Sequence, residues 1–183
     1  MSADRMPPIP EDEQSEAQKD AAAELIAGPR GALAGPFVPL LRSPELMGRV
    51  QKLGTYLRFE SPLPEAVKEL AVLMAARHWN QAYEWAFHLP LARQAGLSRA
   101  ACEAISGGGR PEDLSPGGQV AYDLLHETLT FKAVSDATYR HAELAFGQQG
   151  IVELTALCGY YGLLALVMNA AQTPAPMAEI PLR

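Results

Sequence analysis

Cysteine is nearly absent from this chain: Cys102 and Cys158 are the only two in 183 residues, and they form no CxxC pair. A disulfide framework or a zinc site needs more thiols, or thiols and histidines at ligand spacing, so both cysteines read as free, buried side chains and no metal is expected. Clustered positive charge is missing too. Lysine and arginine number 15 against 21 acidic residues, a net charge of −6, with no basic run. That excludes an electrostatic footprint for nucleic acid. Long hydrophobic runs are also lacking. The longest, Leu163 to Met168, falls far short of the roughly 20 residues a bilayer span needs. The opening MSADRMPPIPEDEQSE lacks the apolar stretch of a signal peptide. The expectation is a cytoplasmic protein with neither a membrane nor a nucleic-acid partner. A phosphate-cradling loop is absent as well, since GGG at 107–109 has no strand before it and no Lys-Ser/Thr after it.

No alternating β pattern persists anywhere, and helical signals fill the space. Nearly half the residues are hydrophobic and a fifth charged, ordinary for one globular domain with a substantial core. Residues 1–27 read as a polar segment, irregular over 1–10 and helical from 11 to 27. Residues 28–183 read as the main helical domain. GPRGALAGPF (28–37) is a loop, able to cross the surface or edge a pocket. Ser43-Pro44-Glu45 opens a helix over about 44–58, with Ser43 as N-cap. SPLPE (61–65) opens another that runs toward Arg93, with a break expected near Trp79-Asn80 and Pro90 as the other candidate. A short helix follows Ser98, then a loop at 107–118, then helices at about 117–131, 135–146 and 148–169. KELAVL (68–73) and VELTAL (152–157) form a weak internal echo. The fold class is all-α.

One stretch within this pattern carries chemistry. At about 100° per residue, Arg77, Gln81, Glu84 and His88 fall within about 60° of one another on a single helix. The rest of that girth is apolar or aromatic, including Trp79, Tyr83, Trp85 and Phe87. A helix so apolar is buried, and its polar stripe must face a partner, a cavity or a thin strip of water.

The segment ARHWNQAYEWAFHLPLARQAGLS (76–98) resembles the carboxymuconolactone decarboxylase-like family, which also holds the alkylhydroperoxidase D type proteins. It is most similar to a subgroup with a YEW-x-x-H signature, here Tyr83, Glu84, Trp85 and His88. GPRG (28–31), RSPEL (42–46), VSDATY (134–139), FGQQG (146–150) and GYYGLLALVMNA (159–170) fit as flanks. The resemblance implies a helical bundle of the alkylhydroperoxidase D-like type, assembled as a dimer, trimer or hexamer. Its peroxidase branch carries E-x11-C-x2-C-x3-H, which places the acid on Glu69 and the histidine on His88. The two cysteine positions then fall on Gln81 and Glu84. Thiol-dependent peroxide reduction needs a thiolate and a resolving partner, and neither stands in the motif. The decarboxylase branch also lacks the cysteines and works without metal or organic cofactor.

The expected catalytic residues are therefore His88, Glu84 and Glu69. Glu84 and His88, at i and i+4, can meet and move a proton within a small anionic substrate. Gln81 and Asn80 are candidates for holding a substrate carboxylate or a water. Tyr83 and Trp85 are candidates for the pocket wall, although packing is the commoner role of such aromatics. Arg77 is a candidate anion clamp, with pairing to Glu84 or Glu69 favoured. The leading expectation is a cofactor-independent, lyase-like enzyme of aromatic-compound catabolism. The alternative is a non-catalytic helical module that binds a ligand or a protein.

Overall fold

The computed structural model describes residues 4–183; residues 1–3 of the polar N-terminal segment lie outside the described residues. Each helix begins where a local signal stops the preceding chain. Ser15 and Gln18 form a reciprocal capping box that starts α1 (Glu16–Ala27). That cap explains why the helix expected from residue 11 starts later, after a single 3₁₀ turn at Glu11–Glu13. Four residues of the expected 28–37 loop region and beyond coil into α2 (Phe37–Leu40). α3 (Pro44–Thr55) starts on the fixed φ of Pro44; the Ser43 side chain, expected as its cap, makes no capping bond. A wide π turn, Tyr56–Glu60, follows directly and replaces the last turn of the expected 44–58 helix.

α4 (Glu65–His78) is the central element, buried at every position from Val67 to Ala76. It packs against α5 (Ala82–Gln94), α7 (Pro116–Phe131) and α8 (Asp136–Ala171). The break from α4 to α5 falls where it was expected. Asn80 takes a left-handed conformation (φ 50°), and the Gln81 side chain caps α5 by accepting from Tyr83 N–H at 2.7 Å. Pro90 lies inside α5 without ending it. α6 (Arg99–Ser106) is capped by Ser98, and Ser135 caps α8. The two helices expected at 135–146 and 148–169 are the halves of α8, which bends at Gly147 (φ 67°, ψ 174°), a conformation only glycine adopts at little cost.

No strand occurs among the described residues, so the chain is all-α. α8 is long and apolar enough to cross a membrane by length and composition, yet just over half of its most apolar window is buried inside the fold. The tail after α8 returns to the core. Ile180 is buried, its carbonyl accepts from Trp85 Nε1 at 2.6 Å, and Ser106 Oγ donates to the Pro181 carbonyl at 2.5 Å.

Candidate active site

α5 presents Tyr83, Glu84, Phe87, His88 and Leu91 to one cleft because three- and four-residue steps return to the same helix face. Tyr161 and Leu164 of α8 form the floor, and the cleft measures about 320 Å³. The rim comes from two irregular segments: the 28–37 loop brings Arg30 and Phe37, and the π turn brings Arg58 and Phe59.

At the floor lies a buried hydrogen-bonded chain. His88 (1% exposed) sits between Glu69 (2%) and Glu84 (3%). Its Nδ1 is 2.7 Å from Glu69 Oε2, while Nε2 is 3.1 Å from the Tyr161 hydroxyl and 3.5 Å from Glu84 Oε2. A carboxylate only accepts, so Glu69 places the imidazole proton on Nδ1 and leaves Nε2 as an acceptor. Burial holds the Tyr161 hydroxyl well above its ordinary value of 10.0, so it stays a donor and its O–H fills that Nε2 position. The site thus has a base whose orientation is fixed from both sides.

Glu84 has the opposite character. Burial raises its carboxyl above the ordinary 4.5, outweighing His88, Arg58 and Arg30, which lower it. It can therefore hold a proton at a pH where an exposed carboxyl has lost it. The same shift has a sign in stability. A carboxyl with a raised native value contributes fully below the unfolded value and loses that contribution as pH rises through the native one. Glu84→Gln, a neutral isostere, is expected to be stabilising relative to the parent by an amount that grows from pH 4 toward pH 8. Thermal melts across that range measure it. A difference that shrinks with rising pH would mean that the carboxylate is the favoured buried form.

Two arginines face this chain, and neither was picked out from the sequence. Arg30 Nη2 lies 3.2 Å from the Tyr160 hydroxyl, and its guanidinium sits 4.7 Å from the Phe37 ring centroid. Gly54 makes room for it: a Cβ there would stand 2.4 Å from Arg30 Nη2 and 2.1 Å from the Tyr160 hydroxyl. Arg58 is held by its backbone, whose carbonyl accepts from Lys68 Nζ at 2.7 Å. The π turn around it is pinned to α8 by Glu153, which accepts from Tyr56 (2.6 Å), Ser61 (2.5 Å) and Gln149 (2.7 Å). Burial alone would raise the Glu153 carboxyl, but these three donors hold it below its ordinary value. Neither arginine forms an ion pair among the described residues. Arg30 Nε and Glu84 Oε1 are both buried without a hydrogen-bond partner. Both residues line the same cleft, so one donor and one acceptor there lack partners. GPRG was the available signal for Arg30; Arg58 had none, since a π turn cannot be told from a helix end by periodicity.

Other residues expected at the site go elsewhere. Arg77 does not pair with Glu84 or Glu69: its Nε donates to the Ser106 carbonyl at 2.7 Å, because the break at 79–81 turns α4 away from the α5 stripe. Asn80 is spent on the left-handed turn and is exposed. Gln81 caps α5 and donates from Nε2 to Asn169 Oδ1 at 2.8 Å. Trp85 is buried and points to the tail, whereas Tyr83 lines the cleft. Cys102 and Cys158 are free and buried; burial pushes the Cys158 thiol up to about 11 and raises Cys102 as well. Among the described residues no cluster of three or more His, Cys, Asp or Glu could hold a metal ion.

Comparison with known proteins adds a family likeness over part of the chain and a fold likeness. The model of the carboxymuconolactone decarboxylase family matches residues 44–125, which include α4, α5 and the Glu69–Glu84–His88 group. No curated protein matches the chain. A crystal structure from Agrobacterium tumefaciens, described as a protein of unknown function and a candidate AhpD antioxidant defence protein, superposes with a TM-score of 0.66. It is 18% identical, and the match covers 75% of this chain and 95% of that one. At that identity the likeness is one of fold.

Proposed function

We propose, from the match of the carboxymuconolactone decarboxylase family model to residues 44–125, that the chain is an acid–base enzyme acting on a small organic anion without a cofactor. The observation that carries this reading is a pair of unpartnered polar atoms on two residues lining one cleft, Arg30 Nε and Glu84 Oε1, beside a histidine oriented by Glu69. A substrate carboxylate seats on Arg30 and Arg58, whose half-buried guanidinium groups bind it by charge-assisted hydrogen bonds. Phe37, Phe59 and Phe87 cover the apolar part of the molecule. The Tyr161 hydroxyl takes a proton from the substrate as it hands its own to His88 Nε2, and Glu69 stabilises the imidazolium that results. Glu84, whose proton burial makes harder to lose, returns a proton to carbon.

Where the reaction is a decarboxylation, the carbon–carboxylate bond breaks, carbon dioxide leaves, and the bonding pair remains on carbon as an enolate. The arginines offset that charge in a site with little water, and the acid delivers the proton that completes the product. Thiol peroxide reduction draws no support here: among the described residues lining the cleft none is a cysteine. A panel of small unsaturated and lactone carboxylic acids, incubated in D₂O and followed by NMR, tests the proposal. The parent protein is expected to incorporate deuterium at carbon or release carbon dioxide from at least one acid, with Arg30→Gln and Arg58→Gln raising KM more than they lower kcat. Acids that bind without exchange or turnover would instead identify a non-catalytic binding module.

A further inference from the structure

Arg30 and Arg58 stand on irregular backbone, yet α8 holds each of them. Glu153 of α8 (5% exposed) accepts from the Tyr56 hydroxyl at 2.6 Å and from the Ser61 hydroxyl at 2.5 Å. Tyr56 is the first residue of the π turn, and Ser61 is the residue after its last. The Ser61 N–H also donates to the Tyr56 carbonyl at 2.8 Å, so the turn is closed at its base and fastened there to one carboxyl. Arg58 occupies the middle of the turn, with its own carbonyl held by Lys68. Seven residues along α8 from Glu153 comes Tyr160, whose hydroxyl accepts from Arg30 Nη2 at 3.2 Å. A seven-residue step returns to the same helix face about 10.5 Å further on. One face of one helix thus carries the supports of both arginines. Neither Glu153 nor Tyr160 lines the cleft itself.

Stability does not account for these supports. Glu153 is a buried carboxyl with no ion pair among the described residues. Three donors satisfy it, but apolar side chains of the same shape on both sides would join the two elements at least as well. Gly54 is the second sign. It lies within α3 on helical backbone, where alanine is favoured by about 1 kcal/mol. A Cβ there would run into the Tyr160 hydroxyl and Arg30 Nη2. Both positions give up local stability where α8 meets the bearer of an arginine. The wide turn that bears Arg58 is itself a helix form found mostly at functional sites.

We propose that Glu153 and Tyr160 are positioning residues, through which α8 sets where Arg58 and Arg30 stand in the cleft. The separation of the two guanidinium groups is then a property of α8 rather than of the loop and turn that bear them. Its consequence for binding rests on the arginines seating a substrate carboxylate, as proposed above.

The test uses the full chain, with benzoate as the probe anion in calorimetric titrations. Tyr160→Phe and Glu153→Leu are each expected to weaken binding about tenfold with unchanged circular dichroism, the scale of a misplaced binding group. Glu153→Gln, which still accepts from Tyr56, should restore most of it. In an Arg30→Gln background Tyr160→Phe should cost nothing more, and in an Arg58→Gln background Glu153→Leu should cost nothing more. NMR relaxation of the two arginine Nε–H groups reads placement with no ligand: Tyr160→Phe should loosen Arg30 alone, and Glu153→Leu Arg58 alone. If Glu153→Leu does not fold, Tyr56→Phe, which removes one anchor of the turn, replaces it with the same expectation. Arginines as ordered in the variants as in the parent would overturn the proposal, as would losses that persist in the Arg30→Gln and Arg58→Gln backgrounds. Arginines that loosen while benzoate binding is unchanged or absent would uphold the placement and count against the carboxylate seat.

Discussion

Exchange of His88 for glutamine is expected to lower turnover by about 10²–10⁴-fold, the range general acid–base groups supply, while the melting temperature stays close to that of the parent. The reason for glutamine is the buried partner. His88 Nδ1 is bonded to Glu69 at 2.7 Å with both groups nearly inaccessible. An amide N–H can keep that acceptor satisfied, whereas alanine would strand the carboxylate and mix a folding defect into the rate. Glutamine keeps a donor but cannot carry a proton away. Measuring kcat on any accepted acid, beside a melt, separates the two effects. Turnover that survives the exchange would move the base away from His88 and leave the imidazole a structural role.

Trp85→Ala should be the most damaging single change to stability, costing about 3–5 kcal/mol, the usual loss for a buried tryptophan. Trp85 is among the largest fully buried side chains and is the donor to the Ile180 carbonyl. Its removal opens a cavity between α5 and the tail and leaves that carbonyl without its bond. Against a typical total of about 5–15 kcal/mol, a large share of the folding free energy would go. Trp85→Phe retains much of the packing and loses the N–H, so about 1–3 kcal/mol is expected. Urea denaturation of both variants gives the two values, and near equality between them would show that the hydrogen bond, not the ring, dominates.

The legible part of this protein was whatever local spacing controls. Glu84 and His88 sit one turn apart on α5, so their meeting needed only helix geometry. The break at Trp79–Gln81 and the bend at Gly147 are likewise local, carried by residues suited to a left-handed or non-helical backbone. The stripe containing Arg77 was drawn on one continuous helix; once the chain breaks, Arg77 belongs to a different cylinder and turns to Ser106. Arg30, marked only by the GPRG loop, and Arg58, marked by nothing, were passed over for the complementary reason. They reach the cleft on a loop and a π turn whose positions are fixed by Gly54, Tyr160 and Glu153, and those contacts span up to 130 residues of sequence. Periodicity carries no information about such meetings.

The isolation of those two arginines shapes how a substrate arrives. The chain carries a net charge of −6, so its long-range field repels an approaching anion, while Arg30 and Arg58 attract it at close range in the cleft. At physiological ionic strength the screening length is about 8 Å, which damps the long-range repulsion more than the short-range, partly buried attraction. Moderate salt should therefore hasten capture of an anion here, the reverse of what electrostatic steering gives a protein whose whole surface shares the sign of its binding site.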